Sequence, residues 1–153
     1  MPRFGKNAVA ALILAAFFVL DRLLKFYFMR FGDSDPAWTL NWLHFKLAIN
    51  QGVSFGLKVP QTFIFSAYVL SFLGLTGLII FYWKKGITAG WFLCSLILLG
   101  AFSNFIDRIR FGGVIDYIDV SFFTVFNLSD IMICCSAICL AIIYGIDKDL
   151  VKR

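Results

Sequence analysis

The sequence contains no glutamate; all nine of its acidic residues are aspartate. It has one histidine, His44. A Ser or Cys triad would need His44 to meet a nucleophile from another segment. His44 reads more simply as a residue on the polar face of a strand. The four cysteines, Cys94, Cys134, Cys135 and Cys139, lie in apolar runs without Cys-x-x-Cys spacing or histidine partners. Zinc is disfavoured, and the thiols read as small buried apolar side chains. Charge is scarce too, at 15% of residues against about 25% in soluble proteins. No internal repeat or low-complexity tract is present.

Apolar residues fill the gap, at 61% of the chain, including 19 Phe and 4 Trp. A soluble domain of this length cannot bury so much, whereas a bilayer solvates it. Net charge is +5, but the basic residues sit at the ends of apolar runs rather than along one stripe, which argues against nucleic acid. Crossing the hydrocarbon core takes about 20 mainly apolar residues as a helix. Four stretches qualify, at about Ala8–Phe28, Thr62–Trp83, Ile87–Ile106 and Leu128–Tyr144. The expectation is an all-α integral membrane protein, a single membrane domain over residues 1–153 with four transmembrane helices. Arg3 and Lys6 precede the first run as in a secretory signal, but Phe17-Phe18-Val19-Leu20-Asp21 stands where a small-x-small cleavage site belongs, so the first span reads as uncleaved.

Orientation follows from basic residues in the short flanks. With four spans, Arg3, Lys6, Lys84, Lys85, Lys148, Lys152 and Arg153 fall on one side with only Asp147 and Asp149, and the rest of the chain is neutral. That side is expected to be cytoplasmic and to hold both termini. Outer segments at about 29–61 and 107–127 then face away from the cytoplasm. In the first, Leu43, Phe45, Leu47 and Ile49 alternate with His44, Lys46, Ala48 and Asn50. A period of two predicts a strand with one apolar face, hence a small extracytoplasmic β element between helices 1 and 2. Gly52 and Gly56 bracket its end, and Gly32–Pro36 reads as a turn.

A charge within a bilayer costs at least about 2.5–3.5 kcal/mol, so polar groups there mark function or a structural pair. Asp21 and Lys25 share a helix face at i, i+4, either as a plain ion pair or as part of a site. Asn104, Asp107 and Arg108 share the outer end of the third helix, where Asp107 and Arg108 could simply pair as an anchor. Gly100, one turn earlier, permits close helix approach. Asp116 follows two glycines and stands among apolar neighbours in Gly112-Gly113-Val114-Ile115-Asp116-Tyr117-Ile118, unlike an ordinary solvated loop acid. Asn127 suits a helix N-cap and puts Asp130 at N3, where the helix dipole favours its charge; capping alone would explain it.

Two acids suffice for hydrolysis. Carboxyls about 3 Å apart cannot both ionise, so they share a proton: one takes a proton from water and the other donates to the scissile carbonyl. Asp130 is the readier to ionise on this reading, and Asp116 starts protonated. Oxygen ligands for Mg²⁺ or Ca²⁺ would require Asn104, Asp107, Asp116 and Asp130 to converge. A small ion or proton channel or transporter using the outer-face aspartates is the alternative, but Ser66, Ser71 and Thr76 in the second span and Ser136 in the deep half of the fourth are all that continues the polar path.

Five blocks in order resemble one family. They are Asp21-Arg22-Leu23-Leu24-Lys25, Asn50-Gln51-Gly52-Val53-Ser54-Phe55-Gly56, Gly100 through Arg108 (Gly-x-x-x-Asn-x-x-Asp-Arg), Gly113-Val114-Ile115-Asp116-Tyr117 and Phe126-Asn127-Leu128-Ser129-Asp130. The chain resembles the lipoprotein signal peptidases, or signal peptidase II. Ser103, Tyr117 and Ser129 stand where Gly, Phe and Ala are usual. The resemblance implies an aspartic endopeptidase without metal or cofactor, which cuts diacylglyceryl-modified prolipoproteins just before the lipidated Cys. It further implies Asp116 and Asp130 as the catalytic pair and Asp21, Lys25, Asn50, Asn104, Asp107, Arg108 and Asn127 as site support or substrate contacts. A monomer among membrane lipids in the bacterial inner membrane is expected, with the outer segment Leu40–Leu57 as a lid over the substrate and inhibition by globomycin-type peptides.

Overall fold

The computed structural model describes residues 3–32, 41–52 and 59–146. In chain order these form α1 (Arg3–Phe31), β1 (Leu43–Asn50), α2 (Gln61–Lys85), α3 (Thr88–Phe111), β2 (Val114–Val120), β3 (Val125–Phe126) and α4 (Leu128–Ile146). At 1.5 Å per residue, α2 and α3 each reach roughly 36 Å, beyond the roughly 30 Å hydrocarbon core. Both are apolar enough to cross a membrane, with mean hydropathy of 2.1 and 1.8. The apolar stretch of α4, Leu128–Tyr144, is shorter. The outward helix surfaces are hydrophobic: Leu12 and Leu70 are 70% exposed and Phe63 is 69% exposed. Along α2 only Ile64 is buried. Water would penalise such a surface, while lipid does not.

The hub is α3, which packs against α1, α2 and α4. Its buried polar residues, Ser103, Asn104, Asp107 and Arg108, all fall near its C-terminal end. The close approach of α4 depends on Gly100. A Cβ there would lie 2.7 Å from the Ser129 carbonyl oxygen and 3.0 Å from Ile133 Cγ1, below normal contact distance. Gly112 ends α3 in the left-handed region at φ +72°, its N–H bonded to the Arg108 carbonyl, and this turns the chain back into β2. At the other end of the hub, Tyr82 stacks on Tyr144 (5.3 Å) and Trp83 meets Trp91 edge-on (5.2 Å).

Strands β1, β2 and β3 form one antiparallel sheet in that order. The sequence pattern places β structure only between α1 and α2, but β2 and β3 come from the connection between α3 and α4. Strand β1 also breaks its own alternation. Phe45 pairs with Ile118 but Ala48 pairs with Asp116, so β1 carries one extra residue. This bulge moves every later side chain to the opposite face. Ile49, expected on the apolar face with Leu43 and Phe45, is therefore 45% exposed. Asn50 takes its place, opposite Val114 and on the same face as Asp116. Only Cys94 of the four thiols is buried; Cys134, Cys135 and Cys139 are exposed on α4.

Parts of several expected features lie outside the described residues: the turn at Gly32–Pro36, the end of the strand segment at Gly56, much of the proposed lid, and the terminal charges Asp147, Lys148, Asp149, Lys152 and Arg153.

Candidate active site

Asp116 is reached through the Gly112–Gly113 turn and lies on the buried start of β2, 2% exposed. Its Oδ1 accepts from Asn127 Nδ2 at 2.7 Å and its Oδ2 from Asn50 Nδ2 at 3.2 Å. The bulge in β1 makes the second bond possible. Burial, followed by the nearby charge of Asp130, pushes the Asp116 carboxyl up to about 7, against the pull of the two amide donors and Lys25.

Asp130 sits three residues beyond Asn127, and the two close a reciprocal cap on α4. The Asp130 N–H donates to Asn127 Oδ1 at 2.9 Å, and the Asn127 N–H donates to Asp130 Oδ2 at 3.2 Å. This is a capping box with an aspartate in place of the usual glutamate. The cap that explains Asp130 structurally therefore also aims it, since Asn127 holds Asp116 with its side-chain amide. Asp130 Oδ1 accepts from Asn104 Nδ2 at 2.8 Å. Both aspartates line one cavity of about 660 Å³, walled by α2, α3, α4 and the sheet. Its remaining walls are largely apolar, among them Ile64, Ala67, Ala101 and Ile133.

Behind this pair lies a compensated charge cluster with Lys25 at its centre. The Lys25 ammonium is fully buried and donates to Asn104 Oδ1 at 2.6 Å. It pairs with Asp107 Oδ2 at 2.7 Å and with Asp21 Oδ2 at 3.5 Å. Asp21 also accepts from Ser103 Oγ at 2.5 Å and from the Ser129 N–H at 2.9 Å. It thus ties α1 to α3 and to the first turn of α4, where the dipole favours an anion. Asp107 does not pair with Arg108, its neighbour in sequence. Its partners are Lys25 and Arg22, the latter at 2.6 Å, because adjacent helical residues point about 100° apart. Arg108 turns to the cavity, where Nη2 donates to the Gly52 carbonyl at 2.6 Å and Nε to the Tyr68 hydroxyl at 3.4 Å.

With Asp107 committed to two cations, Asn104, Asp107, Asp116 and Asp130 do not form the open oxygen set that Mg²⁺ or Ca²⁺ would need. Among the described residues no group of three His, Cys, Asp or Glu could hold a metal.

Asp116, buried, and Asp130, half-buried, thus lie on one cavity, backed by a neutralised ion cluster inside an apolar helical shell. The family model for signal peptidase (SPase) II matches residues 13–145. The chain belongs to the signal peptidase II family. It is thus a membrane protease by family. It is 35% identical over 138 residues to the lipoprotein signal peptidase of Syntrophomonas wolfei, covering 88% of this chain and 91% of that one. It is 34% identical over 116 residues to that of Halothermothrix orenii, covering 73% and 78%. A bacterial membrane enzyme solved by the in meso method at 2.3 Å superposes with a TM-score of 0.79 at 25% identity, covering 93% of this chain and 90% of that one. A second such enzyme, solved at 1.9 Å, gives 0.73, also at 25% identity, covering 93% and 94%.

The nine residues singled out in the sequence, Asp21, Lys25, Asn50, Asn104, Asp107, Arg108, Asp116, Asn127 and Asp130, meet in this one region. Three contributors were missed: Arg22, Ser103 and Tyr68. Arg22 carried a signal, being a further charge beside Asp21 in an apolar helix. Ser103 and Tyr68 carried none, since a lone hydroxyl in a span is ordinarily satisfied within its own helix. His44 lies at the far end of β1, opposite Asp119.

Proposed function

We propose that this family member is an intramembrane aspartic endopeptidase that removes the signal peptide from diacylglyceryl-modified prolipoproteins, cutting just before the lipidated Cys. The observation that carries the reading is Asn127, which hydrogen-bonds both Asp116 and Asp130 at the wall of one cavity. In this mechanism Asp130 takes a proton from water as the hydroxide attacks the scissile carbonyl carbon. Asp116, protonated at the start, donates to the carbonyl oxygen. The tetrahedral intermediate then collapses: its hydroxyl proton returns to Asp116, and the proton held by Asp130 passes to the leaving amine. The pair titrates as a unit, and burial raises the proton affinity of Asp116 that its role as the starting acid needs. The cluster of Asp21, Arg22, Lys25 and Asp107, two anions against two cations, fixes the position of Asp130 through Asn104.

The remaining features follow from the same reading. Four spans put both termini in the cytoplasm of the bacterial inner membrane and the site near the outer face. The placement of Lys84 and Lys85 at the end of α2, remote from the aspartates, supports this. Substrate enters sideways from lipid, its signal helix and acyl chains accommodated by the apolar cavity walls, with Asn50 and Arg108 at the peptide and the segment around β1 covering it. Globomycin-type peptides would compete for this cavity, and the enzyme acts as a monomer.

The test is incubation of the purified protein with a lipidated prolipoprotein, with wild type, Asp116→Asn and Asp130→Asn in parallel. Both variants are expected to fold and to leave the substrate whole. Cleavage by either folded variant removes that aspartate from the mechanism.

A further inference from the structure

Two carboxylates, Asp21 and Asp107, are fully buried behind the aspartate pair, and Lys25 reaches both. An ammonium has three N–H donors. Here they face three acceptors: Asp107 Oδ2 at 2.7 Å, Asp21 Oδ2 at 3.5 Å and Asn104 Oδ1 at 2.6 Å. One cation cannot neutralise two buried anions, and a buried charge without a partner is strongly disfavoured. Arg22 supplies the second cation. Its Nη1 lies 2.6 Å from Asp107 Oδ1, 3.0 Å from Ser103 Oγ and 3.2 Å from the Ser103 carbonyl. Ser103 Oγ in turn donates to Asp21. Arg22 thus touches one acid directly and the other through a hydroxyl.

We infer that Arg22 is a positioning residue for the reaction: by holding Asp107, it leaves the Lys25 ammonium on Asn104, and Asn104 then holds Asp130 in place. The inference rests on the reading of Asp116 and Asp130 as the catalytic pair. The charged and titratable groups packed around this path are Asp21 and Lys25 from α1, Asp107 and Arg108 from α3, Asp116 and Tyr117 from β2, Asp130 and Cys134 from α4 and Tyr68 from α2. With Arg22 neutral, Asp21 and Asp107 outnumber Lys25 by one charge. Lys25 is drawn toward the carboxylates and away from Asn104, and the surplus negative charge makes both catalytic protons harder to remove. At an effective dielectric near 20, one unit charge at about 10 Å moves such a titration by on the order of one pH unit.

The experiment is the pH dependence of kcat and KM for a lipidated prolipoprotein, measured with wild type, Arg22→Gln and Arg22→Lys. Arg22→Gln should move the whole bell upward by on the order of one pH unit and lower kcat with little change in KM. Arg22→Lys should return the bell at least half-way. Lost packing alone would lower the curve without moving it. A bell that Arg22→Gln leaves in place, or one that Arg22→Lys displaces equally, overturns the role of Arg22. A wild-type profile with no carboxyl-governed limbs overturns instead the reading of the aspartate pair. Should Arg22→Gln fail to fold, adding Asp107→Asn removes the stranded carboxylate and should recover folded protein. A double variant no better folded than Arg22→Gln also overturns the pairing.

Discussion

Asn127 performs two tasks that substitution can separate. Its Oδ1 caps α4 by accepting from the Asp130 N–H, and its Nδ2 donates to Asp116. Serine is as good an N-cap as asparagine but carries no amide donor of that reach. Asn127→Ser should therefore keep the helix end to within about 0.5 kcal/mol while Asp116 loses its shorter amide bond. A hydrogen bond to an ionised group is worth about 1.5–3 kcal/mol. If that bond matters only when Asp116 carries charge during the reaction, kcat/KM falls by about 10–150-fold. Asn127→Ala should lose the same activity and a further 1 kcal/mol or so of stability from the missing cap. The assay pairs cleavage of a lipidated prolipoprotein with thermal unfolding in detergent. Asn127→Ser retaining kcat/KM within about threefold of wild type would refute the coupling, because it would place the Nδ2 contact below the lower bound for a charged hydrogen bond.

Other outcomes follow from single contacts. Gly100→Ala puts a methyl group against the Ser129 carbonyl and Ile133; it should cost about 1–3 kcal/mol and reduce activity, since Ser129 is adjacent to Asp130. A variant as stable as wild type would show that α3 and α4 do not approach so closely. Ser129 is fully buried, and its hydroxyl has no hydrogen-bond partner among the described residues. Ser129→Ala should raise stability by about 1 kcal/mol with activity unchanged within about twofold, and a loss of stability would reveal a bond to that hydroxyl. Burial and the nearby charge of Asp130 push the Asp116 carboxyl up to about 7, and the reaction needs its proton. The rate should therefore fall as pH rises through that value, approaching about tenfold per unit; a rate flat from pH 6 to 9 would count against Asp116 as the acid.

Some of the site was legible because its signals are local. Asp116 stood out as an acid among apolar residues, and Asn127 and Asp130 had the spacing of a helix cap, which the structure contains. Lys25 and Asp21 share a face by periodicity, and they are a pair at 3.5 Å. The partners of Asp107 were not legible. Chain proximity suggested Arg108, but helix geometry sends these two side chains in different directions, and the cations that meet Asp107 come from α1, over 80 residues earlier. Nor was the position of Asn50. Strict alternation would put it opposite the apolar face of β1, and only the pairing with β2 reveals the extra residue that turns it toward Asp116.

Composition and hydropathy alone determined that this chain needs lipid around it, because the free energy of burying apolar surface accumulates residue by residue and requires no partner to be specified. They also determined which acids would be costly, for the same reason. Which charge neutralises which, which strand is bulged, and how two aspartates 14 positions apart come to share one asparagine were decided only by tertiary structure. Those outcomes depend on distances between segments remote in sequence, and Coulomb and hydrogen-bond energies act through those distances.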